Sequence, residues 1–499
     1  MCIIFMNKSA LKCEYTDVIA DNYFSNILKN EEPENIKFSK LEAKIKKNPN
    51  YKKLNETDKE DILEELECEI DGYESFLKNM SKRDKIDTSV KREINFEFTE
   101  IKNEDSYTTV GKAILVNEMS DLHHKKITDI YNWIKYKNDS APAQRTPDWY
   151  SIRNKSVTAS DCGTVVGENP YQKQYDFIYK KVFGSVFETN FACYHGKRFE
   201  NAVTMMYEYI NQVNVCEFGL LSSDTVDILA ASPDGICHPY YEGKPTHYAG
   251  RMVEIKCPLT RQIKHFGPIK GTICPIYYYY QIQQQLHCCN LDECDFVQCK
   301  IVAYKNKMEY LLDTHEEKDF YSKKYNKLRG VLIQFMPKKY DVKNYQCGVI
   351  PDEDIWNYAD FIYPPKLNMT LLEIEKWIEI EKQKLEESNE FVFNKVYYWY
   401  CGEMLTTLIE REKDWTDVYM EKINKIWNYV LFLRENKDAA DKFKIFVENS
   451  SVKYNKRILD YIDTLINENK NTLTNKNIST NEDKKDKKDK KDKKDKKDK

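Results

Sequence analysis

Hydrophobic residues recur along this 499-residue chain at two different periods, and the change from one to the other divides it. Over 61–77 and 114–134 the apolar positions fall three and four apart, which predicts amphipathic helices in a charged, glycine-poor region, residues 1–140. Phe199, Val203, Met206 and Ile210 keep that spacing and predict another helix, with Glu200 at the flank of its stripe. Apolar runs at 215–221, 226–231, 251–257, 295–304 and 308–312 then read as strands, interrupted by one helix over 276–289. The alternation predicts an α/β core over 141–312 with one mixed sheet. Beyond 313 the helical period returns. Leu371, Ile374, Ile378 and Leu385 form one stripe and Ile423, Ile426, Val430 and Leu433 another, the packing faces of a helical C-terminal region, 313–480. The core begins after Ala141-Pro142-Ala143-Gln144-Arg145-Thr146-Pro147, where two prolines oppose a helix. Thr158 or Ser160 is a natural cap for a helix starting near Asp161.

Length predicts two or three domains. The net charge is −4, and the 16 residues from Lys484 hold 11 Lys and 5 Asp, so the rest of the chain stands at −10. No global positive field draws in nucleic acid, and any such binding needs a local groove. The segment 481–499 has no apolar residue and reads as a disordered, solvated tail, with a salt-sensitive DNA tether as the sharper reading. Fifteen scattered cysteines, an N-terminal apolar run of only six residues and no stretch of membrane-spanning length predict a soluble protein of a reducing, intracellular compartment. Cys288, Cys289, Cys294 and Cys299 cluster without a zinc or ferredoxin spacing, and read as buried free thiols.

Candidate chemistry concentrates in Ser232-Pro233-Asp234-Gly235 and Val253-Glu254-Ile255-Lys256-Cys257-Pro258. Side chains two apart on a strand share a face, so Glu254 and Lys256 emerge together while Val253, Ile255 and Cys257 face a core. If Asp234 ends the neighbouring strand, two carboxylates and an ammonium meet, a hard-oxygen site suited to Mg²⁺. Pro-Asp-Gly alone reads equally as a turn, and Glu-x-Lys alone as an exposed strand.

Further blocks decide between these readings. Trp149-x-x-x-Arg153 with Thr158-Ala159-Ser160 comes first, then Gly196-Lys197-Arg198-Phe199-Glu200-Asn201, and after the two acidic blocks Tyr278-x-x-Gln281. Together, in this order over residues 145–310, they resemble the phage lambda-type exonucleases, the YqaJ-like viral recombinases of the PD-(D/E)xK nuclease superfamily. The lysine- and tyrosine-rich composition and long added segments resemble versions from large DNA viruses. The resemblance implies a restriction-endonuclease-like mixed sheet flanked by helices, with helical N- and C-terminal extensions. It implies Asp234, Glu254 and the Ile255 carbonyl as ligands of one Mg²⁺, and Glu200 with Asp234 for a second, with Mn²⁺ as the alternative ion. Lys256 positions or deprotonates the attacking water, and Gln281, one of four glutamines on its helix, orients it. Arg153, Ser160 and Ser232 hold a 5′-terminal phosphate. The implied partners are double-stranded DNA ends and a single-strand annealing protein. The implied oligomer is a trimer, although the added segments have no counterpart in the compact enzyme. The implied setting is host cytoplasm or a viral replication site.

The reading that follows is a Mg²⁺-dependent 5′-to-3′ exonuclease acting in DNA recombination. A restriction-like or structure-specific endonuclease would share the same ligands. A catalytically silent DNA-binding or assembly protein would share only the fold.

Overall fold

The computed structural model describes residues 8–28, 38–83, 120–139, 141–142, 146–184, 189–345, 348–450 and 454–470. Helices α1 (Lys8–Leu28), α2 (Phe38–Ile45), α3 (Glu56–Arg83), α4 (Asp121–Asp139) and α5 (Pro147–Asn154) precede strand β1 (Val157–Thr158). Helices α6 (Ala159–Val165), α7 (Gln174–Phe183) and α8 (Phe191–Asn211) follow. Strands β2 (Val215–Cys216), β3 (Leu221–Ser222), β4 (Leu229–Ala231), β5 (Gly235–Cys237), β6 (Tyr240–Tyr241), β7 (Lys244–Pro245) and β8 (Met252–Lys256) lead into helix α9 (Ile276–Cys289) and strand β9 (Glu293–Ala303). The chain continues through α10 (Lys307–Leu312), β10 (Arg329–Pro337), α11 (Asp352–Tyr358), β11 (Asp360–Ile362), α12 (Leu371–Glu387), β12 (Phe391–Glu410), α13 (Trp415–Glu435) and α14 (Lys437–Asn449), and residues 455–470 form a further helix.

A seven-stranded mixed sheet runs β11-β10-β12-β9-β8-β5-β2, beside a three-stranded sheet β1-β4-β3 and the hairpin β6-β7. Strands β8 and β9 are parallel, joined by the α9 crossover that a parallel pair requires. Alternation along β8 sorts its side chains as the sequence predicts. Val253, Ile255 and Cys257 enter the core with Phe199, Val203 and Met206 of α8, while Met252 packs with Ile282 and Leu286 of α9. Glu254 shares the Met252 face, under α9.

Several elements depart from expectation. The predicted strand 308–312 is the helix α10, because the Asn306 side chain accepts from Glu309 N at 2.8 Å and caps it. The run 215–221 splits between the two larger sheets as β2 and β3. Residues 313–480 are not helical throughout: β12 lies between β10 and β9, and its run Val396-Tyr397-Tyr398-Trp399-Tyr400 carries a β-branched and aromatic signal that the helical stripes around it overshadowed. The flanking helices share cores with the sheet region. Helices α1 and α3 pack with α10, α12 and the β10 and β12 residues Val331, Ile333 and Tyr398. Helices α13 and α14 pack with Phe177 and Ile178 of α7 and Cys162 and Val165 of α6. The early part of the predicted helix 114–134, part of the proline boundary and the 481–499 tail lie outside the described residues.

Helix α9 approaches α6 closely at Gly163, where an added Cβ would stand 2.8 Å from the Tyr277 Cβ and 2.9 Å from its Cα. Backbone cannot yield as a side-chain tip can, so Gly163→Ala should lower unfolding free energy by about 1–3 kcal/mol in a denaturant titration.

Candidate active site

Strand β5 pairs with β8, placing Gly235 opposite Val253. A Cβ on Gly235 would lie 2.2 Å from Val215 Cγ1, so the glycine is required by the close approach of β2; its φ is not left-handed, as a turn would have suggested. Asp234 therefore stands at the head of β5, the strand that neighbours β8, where the sequence reading weighed the end of a neighbouring strand. Asp234 Oδ2 accepts a 2.8 Å bond from the Ile255 backbone N–H, which holds it against β8.

Glu254 is completely buried. Residues four apart on a helix share a face, and Gln281 and Gln285 of α9 use that spacing to donate to Glu254, Gln281 to Oε1 and Gln285 to Oε2 at 2.7 Å. Lys256 also donates to Glu254 Oε1, lies 3.0 Å from the Ile255 carbonyl oxygen and 3.8 Å from Asp234 Oδ2. Its ammonium sits 5.2 Å from the centre of the Tyr278 ring, a cation–π contact from the same helix.

Burial, and then the charge of Asp234, push the Glu254 carboxyl up to about 7, against the lowering effect of Lys256 and the Gln285 hydrogen bond. Burial alone would pull the Lys256 ammonium down, but Glu254 and Asp234 outweigh it and hold Lys256 well above the ordinary lysine value. Its neighbours here are two carboxylates and a carbonyl oxygen, and the carboxylates favour the charged form.

The three oxygens around that ammonium, from Asp234, Glu254 and the Ile255 carbonyl, are the ones the sequence names as Mg²⁺ ligands. The ammonium thus stands in for a cation among hard oxygen donors, and the donor set fits Mg²⁺. Glu200 is on α8, packed on the other face of β8, where its charge bears on the Cys257 thiol. Among the described residues no group of three or more His, Cys, Asp or Glu side chains that could hold an ion is found.

The phosphate-binding candidates assemble beside the small sheet. Parallel pairing of β1 with β4 sets Thr158 against Ala230, so the residues that follow, Ser160 and Ser232, leave the sheet at the same end. Arg153 Nη2 donates to Ser160 Oγ at 3.2 Å, and the guanidinium lies 4.4 Å from the centre of the Trp149 ring. Ser160 is exposed, and Ser232 precedes Asp234 by two residues, which joins this corner to the carboxylates.

Sequence reasoning chose Gln281 and missed Gln285, although their four-residue separation carried the signal. Gln284, on the intervening face, donates to the Val157 and Ala230 carbonyls at 2.8 and 3.1 Å and pins the two strands to α9. Also missed was Lys181 of α7, which nothing in its local sequence distinguishes from a surface lysine. Cys257, Cys274, Cys288, Cys289, Cys294 and Cys299 are buried thiols, as predicted.

Comparison with known proteins shows what this region of the chain is similar to. An uncharacterized protein of Acanthamoeba polyphaga mimivirus is 35% identical over 324 residues, 64% of this chain and 58% of that protein. A protein of African swine fever virus is 30% identical over 168 residues, 29% of this chain and 46% of that protein. The chain thus spans less than two thirds of either viral relative. Among solved structures, an alkaline exonuclease from Laribacter hongkongensis is 26% identical over 31% of this chain and 74% of that one, with a TM-score of 0.25. The same exonuclease in complex with dAMP is 21% identical, covers 48% of this chain and 99% of that one, and also has a TM-score of 0.25. No helix among the described residues is long and apolar enough to cross a membrane. Residues 148–292, which hold Asp234, Glu254, Lys256, Gln281 and the Arg153 corner, match the YqaJ-like viral recombinase domain.

Proposed function

We propose that the protein is a Mg²⁺-dependent nuclease that digests one strand of duplex DNA from its 5′ end, in the service of DNA recombination. The observation that carries this reading is the Lys256 ammonium held among the oxygens of Asp234, Glu254 and Ile255, with Arg153 bonded to Ser160 and Ser232 two residues from Asp234. The family match supports it.

Asp234, Glu254 and the Ile255 carbonyl would hold one Mg²⁺, and Glu200 is the proposed ligand of a second. Bound there, the metal would activate water and stabilise the oxygens of an in-line displacement at phosphorus. Lys256 positions or deprotonates the attacking water and steadies the charge that develops on the phosphate oxygens. Gln281 orients the attacking water, while Gln285 keeps the Glu254 carboxylate turned toward the site. Arg153 offers a guanidinium fork to the 5′-phosphate, and the two serine hydroxyls add neutral donors. The products are 5′-mononucleotides and a 3′ single strand fit for an annealing protein.

Incubated with Mg²⁺ and a 5′-phosphorylated linear duplex, the protein should release labelled mononucleotides and leave covalently closed circles intact. Cutting of circles would instead mark an endonuclease. Asp234→Ala and Lys256→Ala should each lower the rate by on the order of a thousandfold or more, and full activity in both would refute the assignment. Chelation should stop digestion and either Mg²⁺ or Mn²⁺ restore it; turnover undiminished by chelator would remove the metal from the scheme. Gln281→Ala should cost roughly ten- to a hundredfold in kcat with little change in KM, measured under single-turnover conditions.

A further inference from the structure

Helix α5 carries Arg153 in its last turn, yet it has eight residues and none of them is buried. Its Trp149 ring carries the Arg153 guanidinium, but the helix has little depth in the core. It is held also at its carbonyl end by two cations from elsewhere in the chain. Lys181 Nζ of α7 donates to the Arg153 carbonyl at 2.6 Å and to the Ser156 carbonyl at 2.9 Å. Arg434 Nη2 of α13 donates to the Asn154 carbonyl at 2.7 Å and to the Lys181 carbonyl at 2.6 Å. Cations at the C-terminus of a helix satisfy its orphan carbonyls and complement its dipole.

Lys181 has a third partner, Asp161, at 3.1 Å, and both side chains are at most 9% exposed. Asp161 accepts from Thr158 Oγ1 at 2.7 Å, Thr158 Oγ1 is 3.2 Å from Ser160 Oγ, and Ser160 accepts from Arg153 Nη2 at 3.2 Å. The contacts close into a ring that begins at the Arg153 backbone and returns to the Arg153 guanidinium. An ammonium has three N–H groups, and these three partners match that number, so Lys181 has none left for DNA.

Resting on the end-directed nuclease reading, we propose that Lys181 and Arg434 are positioning residues for recognition of the 5′-phosphate. The helical region beyond the sheet would then set end preference through α13 without touching the substrate. Asp161, Thr158 and Lys181 hold the ring, and Arg434 locks Lys181 and α5 together from outside.

The test uses the full chain with Mg²⁺ and two linear duplexes of one sequence, ending in 5′-phosphate or 5′-hydroxyl. Arg434 is exposed, so Arg434→Ala should fold. Its preference for the phosphorylated end, taken as the ratio of kcat/KM values, should fall on the order of tenfold, chiefly through KM on that substrate. Turnover of the hydroxyl end should hold, and Arg434→Lys should recover part of the preference. Lys181→Met should show the larger fall. A ratio unchanged in Arg434→Ala, or an equal loss on both ends, would overturn the positioning role while leaving the nuclease reading intact. A wild-type protein that ignores the end phosphate would overturn the phosphate corner itself, and this proposal with it.

Discussion

Glu254 is a carboxylate sealed inside a sheet, and the way its charge is met organises the structure around it. A buried anion is costly unless it is paired and hydrogen-bonded. Both of its oxygens are satisfied, by Lys256 from the same strand and by Gln281 and Gln285 from the helix above. Those donors require α9 to lie directly over β8, and Gly163 lets α6 approach α9 in turn. Asp234 then brings a second negative charge close to the first, which Lys256 only partly offsets. The result is a pocket of oxygen donors with more negative charge than its own residues neutralise comfortably. Such a place favours a divalent ion and a phosphodiester together.

The glutamine-rich helix shows how one element serves several ends. Gln281 and Gln285 face the carboxylate, Gln284 ties two strands of the neighbouring sheet, and Gln283 bonds both the Glu410 carbonyl and the Glu412 N–H. Neutral amides suit this work, since they can donate and accept while adding no charge to a site that already has too much. Four glutamines in five positions would be an odd choice for a helix whose only task was packing.

Much of the core was legible in the sequence because its periods are strong. The helix over 276–289 and the two faces of β8 follow from local alternation, Glu254 and Lys256 from their place on it, and Asp234 from its own short motif. What escaped was non-local. Nothing within 391–410 says that the strand pairs with β9, which lies about a hundred residues earlier, and nothing around Lys181 says that it ends buried against Asp161. The head-of-strand position of Asp234 has a non-local cause too, since the glycine after it answers to Val215 across the sheet. Glu200 was assigned by its motif, on the helix that packs against Val253 and Ile255 of β8.

The insertion of β12 between β9 and β10 bears on how the molecule is made. Strand β9 pairs along its whole length with Trp399–Glu410. On a ribosome, the carboxylate-bearing strand and its parallel neighbour emerge long before that partner does. Until residue 410 has been synthesised, β9 presents an open edge rich in Val, Ile, Phe and Cys, the kind of edge that invites pairing with another chain. Maturation of the pocket is therefore tied to completion of the C-terminal half, and a nascent or truncated chain that contains every candidate catalytic residue would still hold an unfinished, aggregation-prone sheet.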